Sequence, residues 1–186
     1  MSNTSATGGY ISPVVSSSAL FDDALDALLQ QMVVGITGLP GAMVRPRWQT
    51  VVPKQPEPSA DWCAIGITDI TSMDYPAEMH DGTGDGSDTQ QQWGEFSMLA
   101  SFYGPNGHAN ASLLRRGIYV AQNREALQSS GIDLVDAGKV TTAPDLVNQQ
   151  WVKRRDITLR FRRIVETVYP VMNILDAPFS VVSDHP

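Results

Sequence analysis

The sequence predicts an α+β fold: a mixed, mostly antiparallel sheet with two main helices packed on one face, and extended N- and C-terminal arms. Three observations predict it. Apolar residues recur at helical spacing over 20–36 and again within 105–131. Five strand-like stretches surround these two segments. Three of the five follow one another without a helix between them, which favours hairpin pairing and excludes the strict alternation of a doubly wound parallel sheet. The expected organisation is an arm over 1–17, a single domain over 18–169 and a C-terminal tail over 170–186.

Residues 1–17 are rich in Ser, Thr and Gly and carry Pro13, so they read as an extended arm. They contain no basic segment followed by an apolar one, so no signal peptide is expected. In the first helix Ser18 is the expected N-cap, with Asp22 and Asp23 in the first turn, where the helix dipole favours negative charge. Leu20, Phe21, Ala24, Leu25, Leu28, Leu29, Met32, Val33 and Ile36 form its apolar stripe, and Gly38, Pro40 and Gly41 end it. AMVRPRWQTVV (42–52) reads as a strand kept to an edge or a bulge by Pro46. The proline-rich 53–61 is a stiff turn. WCAIGITDI (62–70) is a buried strand. The segment 74–92, dominated by Gly, Asp and Gln, reads as a long mobile loop, and 92–104 as a long strand. The second helix is expected to be capped by Asn106 or Asn110 and closed by Gly131, with Arg115 and Arg116 on its wet side. IDLVDAGKV (132–140) is a short strand, TTAPDLVNQQ (141–150) a turn-rich connection, and WVKRRDITLRFRRIVE (151–166) a long strand.

Charge is placed unevenly. The net charge is −7, yet six of the 13 Lys and Arg residues lie within 151–166. Residues 1–100 carry 12 acids against 3 bases, and the remainder 8 acids against 10 bases. An acidic chain suits a general DNA binder poorly, whereas halves of opposite sign suit self-association. Strand alternation sorts the basic residues. Ile157, Leu159 and Phe161 must face the core, which sends Arg160 and Arg162 outward. Three readings of that pair are open: a solvated face, an interface with an acidic surface of another subunit, and a nucleic-acid contact. Phe161, needed inside, cannot stack on bases. Asp22, Asp23 and Asp26 lie off the stripe of the first helix and are candidate acidic partners. Arg154, Arg155, Arg115 and Arg116 are further interface candidates. Tyr10, Ile11, Pro13 and Phe179 are the apolar residues with which the arms would grip a neighbour.

Catalytic and metal signatures are absent. The stretch DGTGDGSDTQQQ (81–92) imitates a calcium loop at Asp81, Asp85 and Gly86, but Thr83 replaces a ligand and Gln92 stands where a bidentate Glu is required. There is no P-loop, GxSxG, HExxH or paired CxxC. The glycines of GTGDG are wrongly spaced for a dinucleotide fingerprint. The single cysteine, Cys63, sits in an apolar run and reads as a buried free thiol. His80, His108 and His185 are scattered. The expectation is a protein without cofactor, metal or catalysis, and without a membrane-spanning segment.

Several stretches taken in order, TSATGGYISP, TGLPGAMVRPRWQ, WCAIGIT, FYGPNGHANASLLRRGIYVAQNREAL and APDLVNQQWVKRRDITLRFRR, resemble the neck or tail-terminator proteins of long-tailed bacteriophages. The resemblance runs from about residue 5 to residue 165 and lies in the order of the motifs. It implies a structural virion protein, assembled in the host cytoplasm, whose small α/β subunit forms a homo-hexameric ring. Such a ring sits on the tail tube protein, halts its polymerisation and offers a surface to the head-side connector or stopper protein. In contractile tails it also holds the sheath, and DNA only passes through its channel. Two neighbouring roles fit the same resemblance: a head-completion or stopper protein, and a sheath-attachment protein. A nucleic-acid-binding accessory protein is the reading from another class.

Overall fold

A computed structural model of the chain describes residues 3–16, 19–51, 53–147 and 149–174. In chain order the elements are β1 (Val15–Ser16), α1 (Asp22–Thr37), β2 (Val44–Pro46), β3 (Trp62–Ser72), β4 (Ala77–Asp81), β5 (Ser87–Tyr103), α2 (Gly107–Gly117), α3 (Glu125–Gln128), β6 (Ile132–Ala137), β7 (Thr141–Thr142), β8 (Asp145–Val147), β9 (Gln150–Val152) and β10 (Arg154–Tyr169). Short 3-10 turns occupy Gly41–Met43 and Ala121–Arg124.

The spine of the sheet is the antiparallel pair β5–β10, in register without a break from Arg154↔Tyr103 to Tyr169↔Asp88. The main path runs β1-β10-β5-β3-β2. β4 pairs with the first part of β5, while β6 and β7 pair with the free edge of β10. β2 is the one parallel partner along that path, lying against β3. β8 and β9 form a separate two-stranded hairpin in which Leu146 faces Trp151.

The core lies on one side of this sheet. β3 contributes Cys63 and Ile65; β5 contributes Phe96, Met98, Ala100 and Phe102; β10 contributes Ile157, Leu159 and Phe161. Leu25, Leu29, Met32 and Val33 of α1 close over them, together with Ala111 and Leu114 of α2. The expected fold class is therefore observed, with both helices on one face. Of the apolar stripe expected for α1, Leu25, Leu29, Met32 and Val33 are buried and Leu20, Leu28 and Ile36 partly so, whereas Phe21 and Ala24 are exposed; Gly38 ends the helix in the left-handed conformation, donating its N–H to the Val34 carbonyl.

Several elements differ from expectation. The N-cap of α1 is Phe21, with no side-chain cap, and Ser18 lies outside the described residues. The second helix is broken: α2 stops at Gly117 and only the single turn of α3 follows. Its N-cap Asn106 makes no side-chain cap; its amide donates to Asp61 at 2.7 Å. The strand expected over 42–52 is reduced to Val44–Pro46, since proline cannot continue a ladder. The segment 74–92, expected as a loop, is instead a β-hairpin formed by β4 and the start of β5. Residues 14–16, expected as part of an arm without regular structure, pair along Thr167–Val168.

Phe161 is fully buried and stacks on Phe96 with ring centroids 5.3 Å apart. Phe161→Ala is expected to destabilise the domain by about 3–5 kcal/mol, transfer and cavity terms together. Thr158→Ala, one pleat away on the exposed face, is expected to stay within about 0.5 kcal/mol. Urea unfolding of the two variants distinguishes them.

Candidate assembly surface

The face of the sheet opposite the helices is open around Arg160 and Arg162, while Arg47 and Trp48 cover it near Gly66 and the buried Ser101. Alternation along β10 brings Asp156, Thr158, Arg160 and Arg162 to it, and along β5 Trp93, Glu95, Ser97 and Leu99. Arg160 stands between Ser97 of β5 and Asp136 of β6; Arg162 stands between Glu95 and Asp133. Both arginines are exposed, and among the described residues neither forms an ion pair within 4.0 Å. The Asp133 carboxylate accepts instead from the Gln128 amide at 3.1 Å. Beside Arg162 a cleft of about 420 Å³ is lined by Thr71, Ser72, Met73, Trp93, Gly94 and Glu95.

Three of the other candidate arginines, Arg154, Arg155 and Arg115, make hydrogen bonds within the subunit. Arg154 donates to both Asp156 oxygens at 2.8–3.2 Å and to Asp145 at 2.8 Å. Hydrogen bonds to Asp156 dominate a rise of its already high pKa. Asp156 also accepts the Ser101 hydroxyl at 2.6 Å, and that hydroxyl accepts from Arg47. The ring pair Trp62–Tyr103, stacked at 4.2 Å, lies alongside. Arg155 is half-buried and donates to the carbonyl of Arg154. Arg115 donates to the Gly138 carbonyl at 2.8 Å, whereas Arg116 is exposed at the end of α2.

One basic residue was not anticipated. Arg163 falls on the core side of β10, where alternation demands an inward position. It is nearly buried, donates to the Leu20 carbonyl at 2.9 Å and lies over the rings of Phe21 and Phe96. Burial lowers its pKa. The sequence signal was present, since Arg163 continues the inward series Ile157, Leu159, Phe161.

Asp22 and Asp23 are exposed in the first turn of α1. Asp26 is half-buried, and burial, then Asp23 and Asp22, raises its pKa. Of the arm residues, Tyr10 is 97 % exposed and Pro13 exposed, while Ile11 is partly covered; Phe179 lies outside the described residues. Asp81, in the calcium-like stretch, accepts the backbone N–H and hydroxyl of Thr83, which lowers its pKa and braces the β4–β5 turn. Among the described residues no group of three His, Cys, Asp or Glu side chains is placed to hold a metal ion, and no helix is long and apolar enough to cross a membrane.

A one-sided sheet with a partly uncovered, charge-studded face and two segments lying along its rim defines a structural subunit made for contact with other chains. The chain belongs to the phage neck terminator protein family, whose model matches residues 23–184. That span extends past the resemblance read from the sequence at its C-terminal side and includes the β4–β5 hairpin, but begins after TSATGGYISP. It is thus a structural protein of the phage neck that associates with other neck and tail proteins and places the chain in the virion. Comparison with curated proteins finds no match.

Asp156 holds Ser101 and Arg154 together, so Asp156→Ala leaves the Ser101 hydroxyl without its acceptor and Arg154 with Asp145 alone. The expected cost is about 1–3 kcal/mol in urea unfolding. Cys63 is fully buried, and that burial pushes its thiol far above the usual cysteine range despite the nearby Arg47 charge. A thiol reagent is expected to label Cys63 only as the domain unfolds, at the global opening rate.

Proposed function

We propose that the chain forms a homo-hexameric ring at the neck which caps the tail tube, stops tube polymerisation and seats the head-side connector or stopper protein. In a contractile tail the same ring would also anchor the sheath. The observation that carries this reading is the pair Arg160 and Arg162, exposed on a helix-free sheet face and without an ion-pair partner there. The exposed carboxylates Asp22 and Asp23 belong to the helix layer on the other side of the sheet. One subunit cannot bring the two groups together, but successive subunits of a ring can. A closed ring requires such a heterologous contact, one surface meeting a different surface of the next copy.

Exposed ion pairs contribute only about 0–1 kcal/mol each. They set the register of the ring, while apolar and backbone contacts supply its stability. Tyr10, Ile11 and Pro13 are the residues of the N-terminal arm that reach the neighbour. DNA passes through the channel without being gripped. Basic side chains along a bore would bind phosphates and slow transit, so Arg160 and Arg162 face protein.

The variant Arg160→Gln/Arg162→Gln tests the reading. Glutamine avoids placing new carboxylates beside Glu95, Asp133 and Asp136, so subunit stability should hold. The mass of the variant mixed with tail tubes is expected to show loss of the hexamer, with an unchanged circular dichroism melt. A ring of normal stability would reduce the pair to a wet surface. Deletion of the protein from the phage is expected to give overlong tails; tails of normal length on heads that leak DNA would assign the stopper role instead.

A further inference from the structure

At the far end of the sheet, three segments meet around one histidine. His80 of β4 places Nδ1 2.5 Å from the Asp88 carboxylate of β5 and Nε2 2.8 Å from Oδ1 of Asn173, in the segment that follows β10. The orientation of the Asn173 amide is fixed by its other end, since Nδ2 donates to the carbonyls of Gly82 and Gly84 at 2.9 and 3.2 Å. The oxygen therefore faces the imidazole. A carboxylate and an amide oxygen only accept hydrogen bonds, so both ring nitrogens must donate. Only the imidazolium does that. A neutral ring would set a lone pair against one of the two oxygens at hydrogen-bond distance.

The contact is closely fitted. The backbone N–H of Asn173 donates to the Asp85 carbonyl at 3.0 Å. Gly86, at φ +94°, passes so near that a Cβ there would lie 2.7 Å from the Asn173 nitrogen and the Val171 oxygen. The N-terminal segment is tied to the same place: the Ser5 hydroxyl accepts the N–H of Met172 at 2.7 Å.

We propose that His80 is a pH-operated latch, which as an imidazolium clamps residues 170–174 onto the β4–β5 turn and on losing its proton releases them, together with the N-terminal segment they hold. The groups around the ring fit this role. Glu78 and Asp81 flank it on β4, Asp88 faces it from β5, Asp85 sits in the turn, and Tyr169 of β10 pairs across from Asp88. Hydrogen bonding to Asp88 and then to Asn173, with the Asp88 and Asp81 charges behind them, raises the His80 pKa. A group whose folded pKa is raised contributes fully below its unfolded value, about 6.5 for histidine, and ceases to contribute as pH rises through the folded value. The latch is closed at mildly acid pH and opens toward alkaline pH. It acts within one subunit, so its test does not depend on the ring.

The test uses the full chain and NMR. The His80 ring nitrogens are expected to titrate above their midpoint in the urea-unfolded chain, with the Asn173 side-chain amide signals following the same curve. Exchange protection of the Asn173 backbone amide, corrected for intrinsic rate, is expected to fall at least several-fold across that midpoint, while the Leu159 amide in the core stays protected. Asp88→Asn should move both transitions to lower pH, an effect a purely packing role for His80 would not produce. His80→Phe should leave Asn173 unprotected at every pH with the core intact. The proposal is overturned if His80 titrates as it does in urea, if Asn173 protection is indifferent to its protonation, or if Asp88→Asn moves nothing.

Discussion

The structure depends on the unbroken antiparallel register between β5 and β10. All 16 residues of β10 pair with β5, and no bulge interrupts them. Because side chains alternate with period two, one register fixes the face of every residue on both strands. The same pairing that buries Phe96 against Phe161 sends Ser97 and Arg160 outward together. A slip by one residue would bury Arg160 and Arg162 and expose Phe161 and Leu159. The bulges lie in the flanking strands, where β3 shifts at Ile67–Asp69 and β6 at Val135, opposite Arg160 and Phe161 of β10. The flanking strands bend to fit the pair, and the pair stays regular.

Much of the helix-covered half was legible because its two faces differ. α1 shows its stripe, β10 shows Ile157, Leu159 and Phe161 at alternate positions, and the fold class follows from their order. The β4–β5 hairpin was not legible for the opposite reason. Its residues Glu78, His80, Asp88 and Gln90 point to the side on which the core lies further along the sheet, yet α1 and α2 do not reach that far. With neither face buried, selection for apolar alternation is missing, and a strand of Asp, Thr and Gln reads as loop. The second helix failed differently. Its apolar positions continue past Gly117, but Ile118 folds into the core through a turn instead of a continuous helix.

The candidate surface was partly legible. Alternation alone separated Arg160 and Arg162 from the core-facing residues. It could not separate them from Arg154, because what distinguishes Arg154 is distant in sequence or depends on fold: Asp145 on a hairpin, Ser101 on β5, Arg47 beyond β2. Formal charge counts six basic residues in one run. The folded chain divides them into an internal clamp, a cation between two aromatic rings, and an exposed pair. The last, with the exposed Lys153, carries charge that another chain can meet without first breaking an internal contact.

The sheet also raises a question of stability at its uncovered end. Helices account for the order of the half near Phe96, where apolar burial is large. Beyond Trp93 there is no comparable core among the described residues, and ladder hydrogen bonds, each worth about 0.5–1.5 kcal/mol net, must offset the backbone entropy of some four strands. The terminal segments supply what the helices do not. β1 adds a strand to the free edge of β10 at Thr167 and Val168, and residues 170–174 cover the β4–β5 turn through Asn173. The order of this end therefore rests on segments from both ends of the described chain. They meet at Ser5 and Met172, so loosening either one removes support from the other. A subunit arranged in this way has a rigid part that fixes its shape and a lightly held part that can respond to a change of proton, contact or neighbour. The division falls where the helices end, because apolar burial, unlike backbone pairing, does not continue along the strands past the elements that cover them.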